Sequence, residues 1–301
     1  MTQNVLDLIG KTPIVELAKL NNTQSTILAK LEALNPSGSI KDVMARYMID
    51  MAEKKGLLKP GNKIIEETSG NTGISFAMLA ALKDYKFVAV MPENMSQERR
   101  QIIQAFGAQV VLTPEEKGFV GALETLEQLA KENKGAWLPK QFENPDNIAA
   151  HREITGQNIL QAVGDKIDVL VAGVGTGGTL MGVTEALKQA NLNVRIVAVE
   201  PAESAVMIGE EPGSHMIQGI GPGFVPSLVN MDLIDEVIKV KSNDAVEMTR
   251  RLFQEEGLMV GISSGANVLA ALEVARKSDK GKTIVTILPD RGERYLSMNL
   301  F

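Results

Sequence analysis

The sequence predicts an α/β protein of two lobes, each with a mainly parallel sheet flanked by helices. Short β-branched runs alternate with helical patterns along nearly the whole chain, and this alternation is typical of parallel sheets with right-handed crossovers. Near-continuous apolar runs such as VLVAGV (169–174) suit a sheet that is covered on both faces. The length of 301 residues is sufficient for about two domains.

Strands are predicted where β-branched runs are short, and helices where apolar residues recur at helical spacing. The predicted strands are 26–32, 63–68, 87–92, 109–114, 169–174, 194–200, 236–241 and 283–289. The predicted helices are 41–55, 72–83, 96–106, 117–133, 178–190, 244–256 and 265–277.

The boundary between the lobes is predicted from turn signals. The stretch QFENPDN (141–147) carries Pro and Asn and is the expected crossing. We therefore expect a smaller, mobile lobe at 35–143 and a larger lobe made of 1–34 plus 144–301.

Composition excludes several classes of function. The net charge is −6 without a basic block, which argues against nucleic acid or an anionic membrane as the main partner. No apolar run approaches a membrane span, and the first ten residues lack the features of a signal peptide. The absence of cysteine excludes disulfides, Cys–Zn sites and a thiol nucleophile, and a cytoplasmic location is expected. His151 and His215 are the only histidines, and both are expected at the surface or in packing.

The loop GVGTGGT (173–179) is predicted to bind an anion. It follows a predicted strand and precedes a predicted helix, so its backbone N–H groups and the helix dipole both favour a phosphate. Thr176 and Thr179 add hydroxyl donors, and Gly175, Gly177 and Gly178 allow close approach of the backbone.

The identity of that phosphate is open from spacing alone. Gly173, Gly175 and Gly178 satisfy G-x-G-x-x-G, and Glu200 ends the next strand where a ribose-binding carboxylate belongs, so a nicotinamide dinucleotide is an alternative. The motif lies in the second half of the chain, however, and its hydroxyl-rich form favours one terminal phosphate.

Two further loops precede predicted helices. EETSGNTG (66–73) carries more donors than one helix cap uses, and it suits a carboxylate, although Ser69, Asn71 or Thr72 could serve only as a cap. GISSGAN (261–267) is weaker, because a serine cap explains it equally well.

Lys41 follows the turn NPSGS and lies in the first turn of a predicted helix. A helix N-terminus disfavours an ammonium group, so this position lowers the pKa of the amine. A phosphate loop, a carboxylate loop and an amine of lowered pKa together indicate pyridoxal phosphate held as a Schiff base.

The motifs together resemble the cysteine synthases (O-acetylserine sulfhydrylases), in the pyridoxal-phosphate-dependent β-family that also includes cystathionine β-synthase. The resemblance implies the tryptophan synthase β-like fold, which is fold type II of pyridoxal-phosphate enzymes. It covers essentially the whole chain through IGKTPIVEL, NPSGSIKD, EETSGNTGI, MPENMSQERR, QFENPDN, GVGTGGT, IQGIGPGFVP, GLMVGISSGAN and PDRGERYLS.

The resemblance also implies a role for each matching residue. Lys41 would form the internal aldimine and later remove the substrate's α-proton, Asn71 would bond the cofactor's 3′-oxygen, and Ser263 would face the pyridine nitrogen. The cofactor phosphate would be held by Gly175, Thr176, Gly177, Gly178 and Thr179. The substrate side would be formed by Thr68, Ser69, Gly70, Thr72, Gln141 and Gly219 to Gly221.

The implied reaction is a β-replacement that makes L-cysteine from O-acetyl-L-serine and sulfide through an α-aminoacrylate. The smaller lobe would close over the substrate carboxylate and exclude water. The resemblance further implies a homodimer, and some relatives bind a regulatory partner's C-terminal tail at the mouth of the active site.

The sequence departs from the usual family pattern at Val43, at Gly221-Pro222-Gly223 and at Arg291. The donor (O-acetylserine, O-phosphoserine, serine or cysteine) and the nucleophile are therefore open. A cysteine lyase that releases hydrogen sulfide, or a synthase that forms lanthionine or cystathionine, would use the same residues. A nicotinamide-dependent dehydrogenase is the remote alternative.

Overall fold

The computed structural model describes residues 4–68, 70–190 and 192–298, apart from the side chain of Phe119. The chain divides into two compact units, which we call the larger unit (Met1–Ile40 with Asn147–Phe301) and the smaller unit (Lys41–Asp146). The boundaries predicted from sequence, after residues 34 and 143, lie a few residues earlier in each case.

The bounds of the elements follow in chain order. The strands of the described residues are β1 Ile14–Glu16, β2 Thr26–Leu31, β3 Lys63–Glu67, β4 Lys86–Pro92, β5 Gln109–Thr113, β6 Val169–Gly173, β7 Arg195–Pro201, β8 Glu236–Val240 and β9 Thr283–Leu288. The α-helices are α1 Lys41–Lys54, α2 Asn71–Leu82, α3 Gln97–Ala105, α4 Gly118–Glu132, α5 Asp146–Ala150, α6 Gln157–Val163, α7 Gly178–Gln189, α8 Ser242–Glu256 and α9 Ile262–Lys277. A π-helix, His151–Gly156, joins α5 to α6.

The predicted α/β class is confirmed, and each predicted strand and helix is present with ends within three residues of the prediction. Two features were not predicted. β1 has only three residues, too few for a visible alternation. The helical segment 146–163 contains Gly156, a poor helix former, and it is held by close packing on α7. A Cβ on Gly156 would lie 2.4 Å from the Ala186 Cβ.

The larger unit contains a six-stranded sheet in the order β1-β2-β9-β6-β7-β8. β1 pairs with β2 antiparallel, and the other pairs are parallel. Successive residues of the central strand β6 enter opposite cores, because side chains alternate along a strand. Val169 and Val171 pack in the cluster that includes α9 residues, whereas Leu170 and Ala172 pack in the cluster that includes α7 residues.

The smaller unit contains a three-stranded parallel sheet in the order β3-β4-β5. Its apolar cluster includes Ile65 of β3, Val88 and Val90 of β4, and Ala122 and Leu126 of α4. α2 is buried along most of its length, which explains its almost uninterrupted run of apolar and small residues.

None of the helices in the described part of the chain is long and apolar enough to cross a membrane.

Candidate active site

The loop that links β6 to α7 in the larger unit forms a cradle of glycines and threonines, residues 175–179. Gly177 has φ +86°, a left-handed conformation that favours glycine, and it immediately precedes α7. The N-terminus of this twelve-residue helix therefore opens onto the loop, with its first N–H groups not used within the helix. This geometry suits an anion.

Side chains are excluded from three positions of the cradle by their surroundings. A Cβ on Gly175 would lie 2.3 Å from the carbonyl oxygen of Gly219, one on Gly177 would lie 2.5 Å from Val229 Cγ2, and one on Gly178 would lie 2.0 Å from Asn147 Oδ1. These approaches are far below van der Waals contact. The three glycines are thus required by packing.

The two threonines of the cradle are bonded to the helical segment that sequence analysis missed. Asn147 Nδ2 donates to Thr176 Oγ1 at 2.9 Å. The Nε2 of His151 lies 3.3 Å from Thr179 Oγ1, and the Nδ1 of the same ring lies 3.0 Å from Thr155 Oγ1. Asn147 and His151 are both buried, so the hydroxyl positions are fixed from behind by the protein itself.

Gly219, predicted on the substrate side, and Ser263, predicted to face the pyridine nitrogen, also belong to the larger unit. Gly219 has φ +95°, and its carbonyl packs against Gly175. Ser263 is buried in the first turn of α9, and α9 is tied to the segment after β9 because the Gly261 N–H donates to the Asp290 C=O at 2.9 Å. β9 pairs with β6, so the cradle and Asp290 follow the carboxyl ends of neighbouring strands, the usual ligand-binding edge of such a sheet. The bond between Gly261 and Asp290 places the start of α9, and with it Ser263, at this edge.

The turn that precedes Lys41 is held within the larger unit as far as Ile40. Gly38 adopts φ +91°, and its carbonyl accepts the Arg291 N–H at 3.2 Å. The Ile40 N–H donates to the Pro289 C=O at 2.8 Å, and Arg291 Nε donates to the Ala33 C=O at 3.0 Å. Arg291, one of the departures from the family pattern, thus fixes this turn.

Lys41 is the first residue of α1, as predicted, and it is also the first residue of the smaller unit, which was predicted to begin at residue 35. Burial lowers the pKa of its amine to about 8, and the helix N-terminus acts in the same direction. The neighbouring Asp42 is buried and accepts the Ser75 hydroxyl at 2.6 Å, which ties the start of α1 to α2. Lys41 is therefore an amine that loses its proton more easily than an exposed lysine.

Three residues predicted to bind the substrate carboxylate form a connected group in the smaller unit. Thr72 Oγ1 donates to Gln141 Oε1 at 2.8 Å, and both residues are buried. The Thr68 hydroxyl accepts the Gly73 N–H at 3.0 Å, so Thr68 caps α2. The sequence offers Ser69, Asn71 or Thr72 as the possible cap of this helix, whereas the cap in the structure is Thr68.

The remaining predicted residues of this loop lie around the start of α2. Gly70 is the residue before the helix, with φ −144°, and Asn71 is the first helical residue and is partly buried. Ser69 lies outside the described residues. Gly70 and Asn71 are thus at the helix N-terminus, where backbone N–H groups favour an anion.

A buried acid that sequence analysis did not identify supports this group. Glu66, at the end of β3, accepts the backbone N–H of Lys140 at 3.1 Å and that of Gln141 at 3.2 Å. Burial raises the pKa of its carboxyl to about 7 despite these two bonds. Glu67 is buried as well, and burial together with the neighbouring Glu66 raises the pKa of its carboxyl to about 8.

Glu200, the residue on which the nicotinamide alternative depended, is engaged elsewhere. Its carboxylate is buried and accepts the Met207 N–H at 2.9 Å, so it stabilises the turn after β7. A ribose-binding carboxylate would have to be accessible to ligand. Within the described residues, no group of acidic and histidine side chains suited to a metal ion is present.

The histidines are packed, as predicted. His151 is buried between Thr155 and Thr179, and His215 lies against the Gly221 carbonyl at 2.8 Å. The proximity of His151 to the cradle was not predicted. The only available signals were its position after QFENPDN and its spacing of four residues from Asn147.

The chain is similar to known proteins along nearly its whole length. Residues 5–290 match the family model described as pyridoxal-phosphate dependent enzyme. A cysteine synthase of Staphylococcus aureus is 49% identical over 300 residues, which is 99% of this chain and 96% of the relative.

Two solved structures are also similar over nearly the whole chain. A cysteine synthase from Entamoeba histolytica has a TM-score of 0.96 at 44% identity. The match covers 100% of this chain and 91% of the Entamoeba chain. A hydrogen sulfide-producing enzyme from Fusobacterium nucleatum has TM-score 0.94 at 42% identity and covers 98% of each chain.

The cradle fits the cofactor of that family. A terminal phosphate requires several hydrogen-bond donors at close range, and the loop provides two hydroxyls, the backbone N–H groups of its glycines and a helix N-terminus. The resemblance drawn from the sequence motifs is confirmed by the family match and by the relatives. This chain belongs to the family of pyridoxal-phosphate-dependent enzymes.

Proposed function

We propose that this protein makes L-cysteine and acetate from O-acetyl-L-serine and sulfide. The observation that carries the proposal is the 49% identity with a cysteine synthase along essentially the whole of both chains. The matched region of 300 residues covers 99% of this chain, so it spans the loops described above.

The Lys41 amine is the group that we assign to the cofactor's aldehyde carbon. When bound, pyridoxal phosphate withdraws electrons from the substrate's α-carbon and makes its proton acidic. Because burial lowers the pKa of Lys41 from 10.5 to about 8, a larger fraction of its amine is unprotonated near neutral pH than in an exposed lysine, and only that form can accept the proton.

The residues around the start of α2 are assigned to the substrate's carboxylate. Thr72 and Gln141 are joined by a hydrogen bond, and the N-terminus of α2, whose first backbone N–H groups favour an anion, begins at Asn71. Thr68, Ser69 and Gly70 complete the predicted set. A carboxylate bound there would orient the substrate's α-carbon and help to exclude water.

The cradle of the larger unit, residues 175–179, is assigned to the cofactor's phosphate, and Ser263 to its pyridine nitrogen. Asn71 is assigned to the 3′-oxygen. A serine hydroxyl cannot stabilise a fully protonated ring nitrogen as an aspartate does, and this favours β-elimination and replacement over reactions that need a stronger electron sink.

The main alternative is net release of hydrogen sulfide from cysteine. The observation that favours it is the similarity to the hydrogen sulfide-producing enzyme, which is nearly as close as that to the cysteine synthase structure. Formation of lanthionine or cystathionine would differ only in the nucleophile. All of these reactions place the same demands on Lys41 and the cradle.

A substrate panel on one preparation tests the proposal. Initial rates are measured for cysteine formation from O-acetylserine plus sulfide, and for sulfide release from cysteine alone and from cysteine plus homocysteine. We expect cysteine formation to be faster than either sulfide-releasing reaction by about tenfold or more, which corresponds to about 1.4 kcal/mol in the barrier. Faster sulfide release in either assay would contradict the proposal and support the alternative.

We further propose that the protein is a cytoplasmic homodimer and that a regulatory partner binds its active-site mouth through a C-terminal tail. The support is the family resemblance and a sequence with no cysteine to be oxidised. Light scattering after size-exclusion chromatography measures the assembly directly. A mass near the 32.5 kDa of one chain would contradict the dimer.

A further inference from the structure

The threonines of the cradle are backed by two polar residues on the helical segment 146–156. Asn147 and His151 are four residues apart, so they lie on one face of that segment and approach Thr176 and Thr179, which are three residues apart. None of these four residues is exposed. Hydrogen bonds between such groups have a direction, and that direction determines what each hydroxyl can offer to a ligand.

The hydroxyl of Thr176 receives hydrogen bonds. Asn147 Nδ2 donates to its oxygen at 2.9 Å, and the Gly178 N–H donates at 3.4 Å. A hydroxyl oxygen accepts two such bonds and has a single proton to donate. Because the Thr176 oxygen already accepts from Asn147 and Gly178, its proton points toward the ligand side of the cradle.

The hydroxyl of Thr179 depends on the tautomer of His151. If His151 carries its proton on Nε2, the ring donates to Thr179 at 3.3 Å, and Thr179 can donate its own proton to an anion. Nδ1 then accepts from the Thr155 hydroxyl at 3.0 Å, and both ring nitrogens are satisfied. In the other tautomer Thr179 would donate to the ring and would offer the anion only its lone pairs.

We propose that Asn147 and His151 are positioning residues that hold the Thr176 and Thr179 hydroxyls as donors toward the cofactor phosphate, with His151 as the neutral Nε2–H tautomer. The proposal rests on the proposed function, since it takes the ligand of the cradle to be that phosphate. It assigns a direction to the whole chain of bonds: Thr155 to His151, His151 to Thr179, and Thr179 to the phosphate.

The test compares ligands with and without the phosphate. Dissociation constants of pyridoxal phosphate and of pyridoxal are measured by fluorescence titration of the cofactor-stripped protein and its variants. Asn147→Asp is nearly isosteric but replaces the donor with an acceptor, so Thr176 would turn its proton away from the ligand. We expect about 10- to 100-fold weaker binding of pyridoxal phosphate and a change within about twofold for pyridoxal.

The His151 variants separate hydrogen bonding from packing. His151→Phe fills the space without a donor and should weaken pyridoxal phosphate binding about tenfold or more. His151→Gln can still donate to Thr179 and should restore most of the affinity. Asn158→Asp is the matched control, because Asn158 lies farther along the same helical segment and bonds only the Ile154 carbonyl, at 2.8 Å; it should change neither constant.

The outcomes distinguish this inference from the proposed function. If the unaltered protein binds pyridoxal as tightly as pyridoxal phosphate, the cradle does not bind the phosphate and the assignment of the site fails. If the unaltered protein discriminates but Asn147→Asp and His151→Phe weaken both ligands equally, the two residues serve only packing and the inference is overturned.

The tautomer is measured independently by nitrogen NMR. The chain has two histidines, so ¹⁵N-histidine labelling yields two imidazole patterns, and His151→Gln assigns them. We expect the Nε2–H pattern for His151 in the protein loaded with pyridoxal phosphate. An Nδ1–H pattern would overturn the inference even if the variants bind weakly.

Discussion

Glu66 Oε1 accepts the backbone N–H of Gln141 at 3.2 Å, and through Gln141 it acts on Thr72. The other carboxylate oxygen accepts the N–H of Lys140, a non-glycine residue with φ +54°. One buried acid thus stabilises an unfavourable backbone conformation and orients the amide that holds a proposed substrate-binding hydroxyl. Glu66 is a positioning residue by this geometry.

Glu66→Gln should raise the KM for the amino-acid substrate about tenfold and change kcat less. An amide has only one oxygen to accept with, and its NH₂ group would face a backbone N–H, so the Gln141 turn would shift. Steady-state kinetics with O-acetylserine varied at fixed sulfide measures both constants. Glu127→Gln, an exposed site in α4, is the matched control, and an unchanged KM in Glu66→Gln would refute this role.

The buried Glu67 makes the stability of the protein depend on pH. Burial and the neighbouring Glu66 raise the pKa of its carboxyl to about 8 from 4.5, so the folded protein binds more protons than the unfolded chain between those values. The contribution of Glu67 to stability is therefore present below about pH 4.5 and is lost as the pH rises through about 8.

Glu67→Gln should accordingly stabilise the cofactor-stripped protein at high pH only. A neutral amide removes the cost of a buried charge, and we expect a gain of about 1–3 kcal/mol at pH 9 and about zero at pH 4. Denaturant unfolding at both pH values measures the difference. An equal effect at the two pH values would show that the side chain is not a buried, titrating carboxyl.

Much of the fold could be predicted from sequence because local pattern and tertiary environment agree. The buried strand β6 consists of apolar and small residues. The cradle is indicated in the sequence by Gly175, Gly177 and Gly178 at the start of a helix. The segment 146–163 could not be predicted in this way. Its helical structure includes a π-turn and depends on contact with Gly182 of α7, where a Cβ would lie 2.4 Å from the Ile148 carbonyl oxygen.

Some residues of the candidate site could be predicted from sequence and others could not, for a similar reason. Residues that would touch a ligand occupy short motifs, so Lys41, Thr72 and Thr176 could be named from sequence. Residues that act through others are joined to them only by folding: Glu66 is 75 positions from Gln141, and Asn147 is 29 positions from Thr176. Such pairs have no local signal.

Gly175→Ala should abolish or strongly weaken binding of pyridoxal phosphate. The added Cβ would lie 2.3 Å from the Gly219 carbonyl oxygen, and both are backbone groups of the larger unit that cannot rotate away. We expect at least about a 100-fold loss of affinity in an equilibrium titration. Gly281→Ala is the control: its φ of +80° makes it a strained substitution with open space around it, so it should cost stability and leave the affinity unchanged. Equal affinities in the two variants would contradict the close packing of the cradle.

The rate at which pyridoxal phosphate becomes covalently attached to the cofactor-stripped protein should depend on the protonation of Lys41. Only the unprotonated amine attacks an aldehyde, and burial lowers the pKa of this amine to about 8. The rate should rise about tenfold per pH unit below that value and level off above it. Stopped-flow absorbance between pH 6 and 10 measures the profile, and a rate that continues to rise to pH 10 would indicate an ordinary, exposed lysine.

The central claim is that Lys41 alone carries the cofactor. Borohydride reduction of the loaded protein, followed by proteolysis and mass spectrometry of the peptides, locates the covalent pyridoxyl group directly. We predict a single modified residue, Lys41, and loss of the modification in Lys41→Ala. A pyridoxyl group on any other lysine, or none on the unaltered protein, would contradict it.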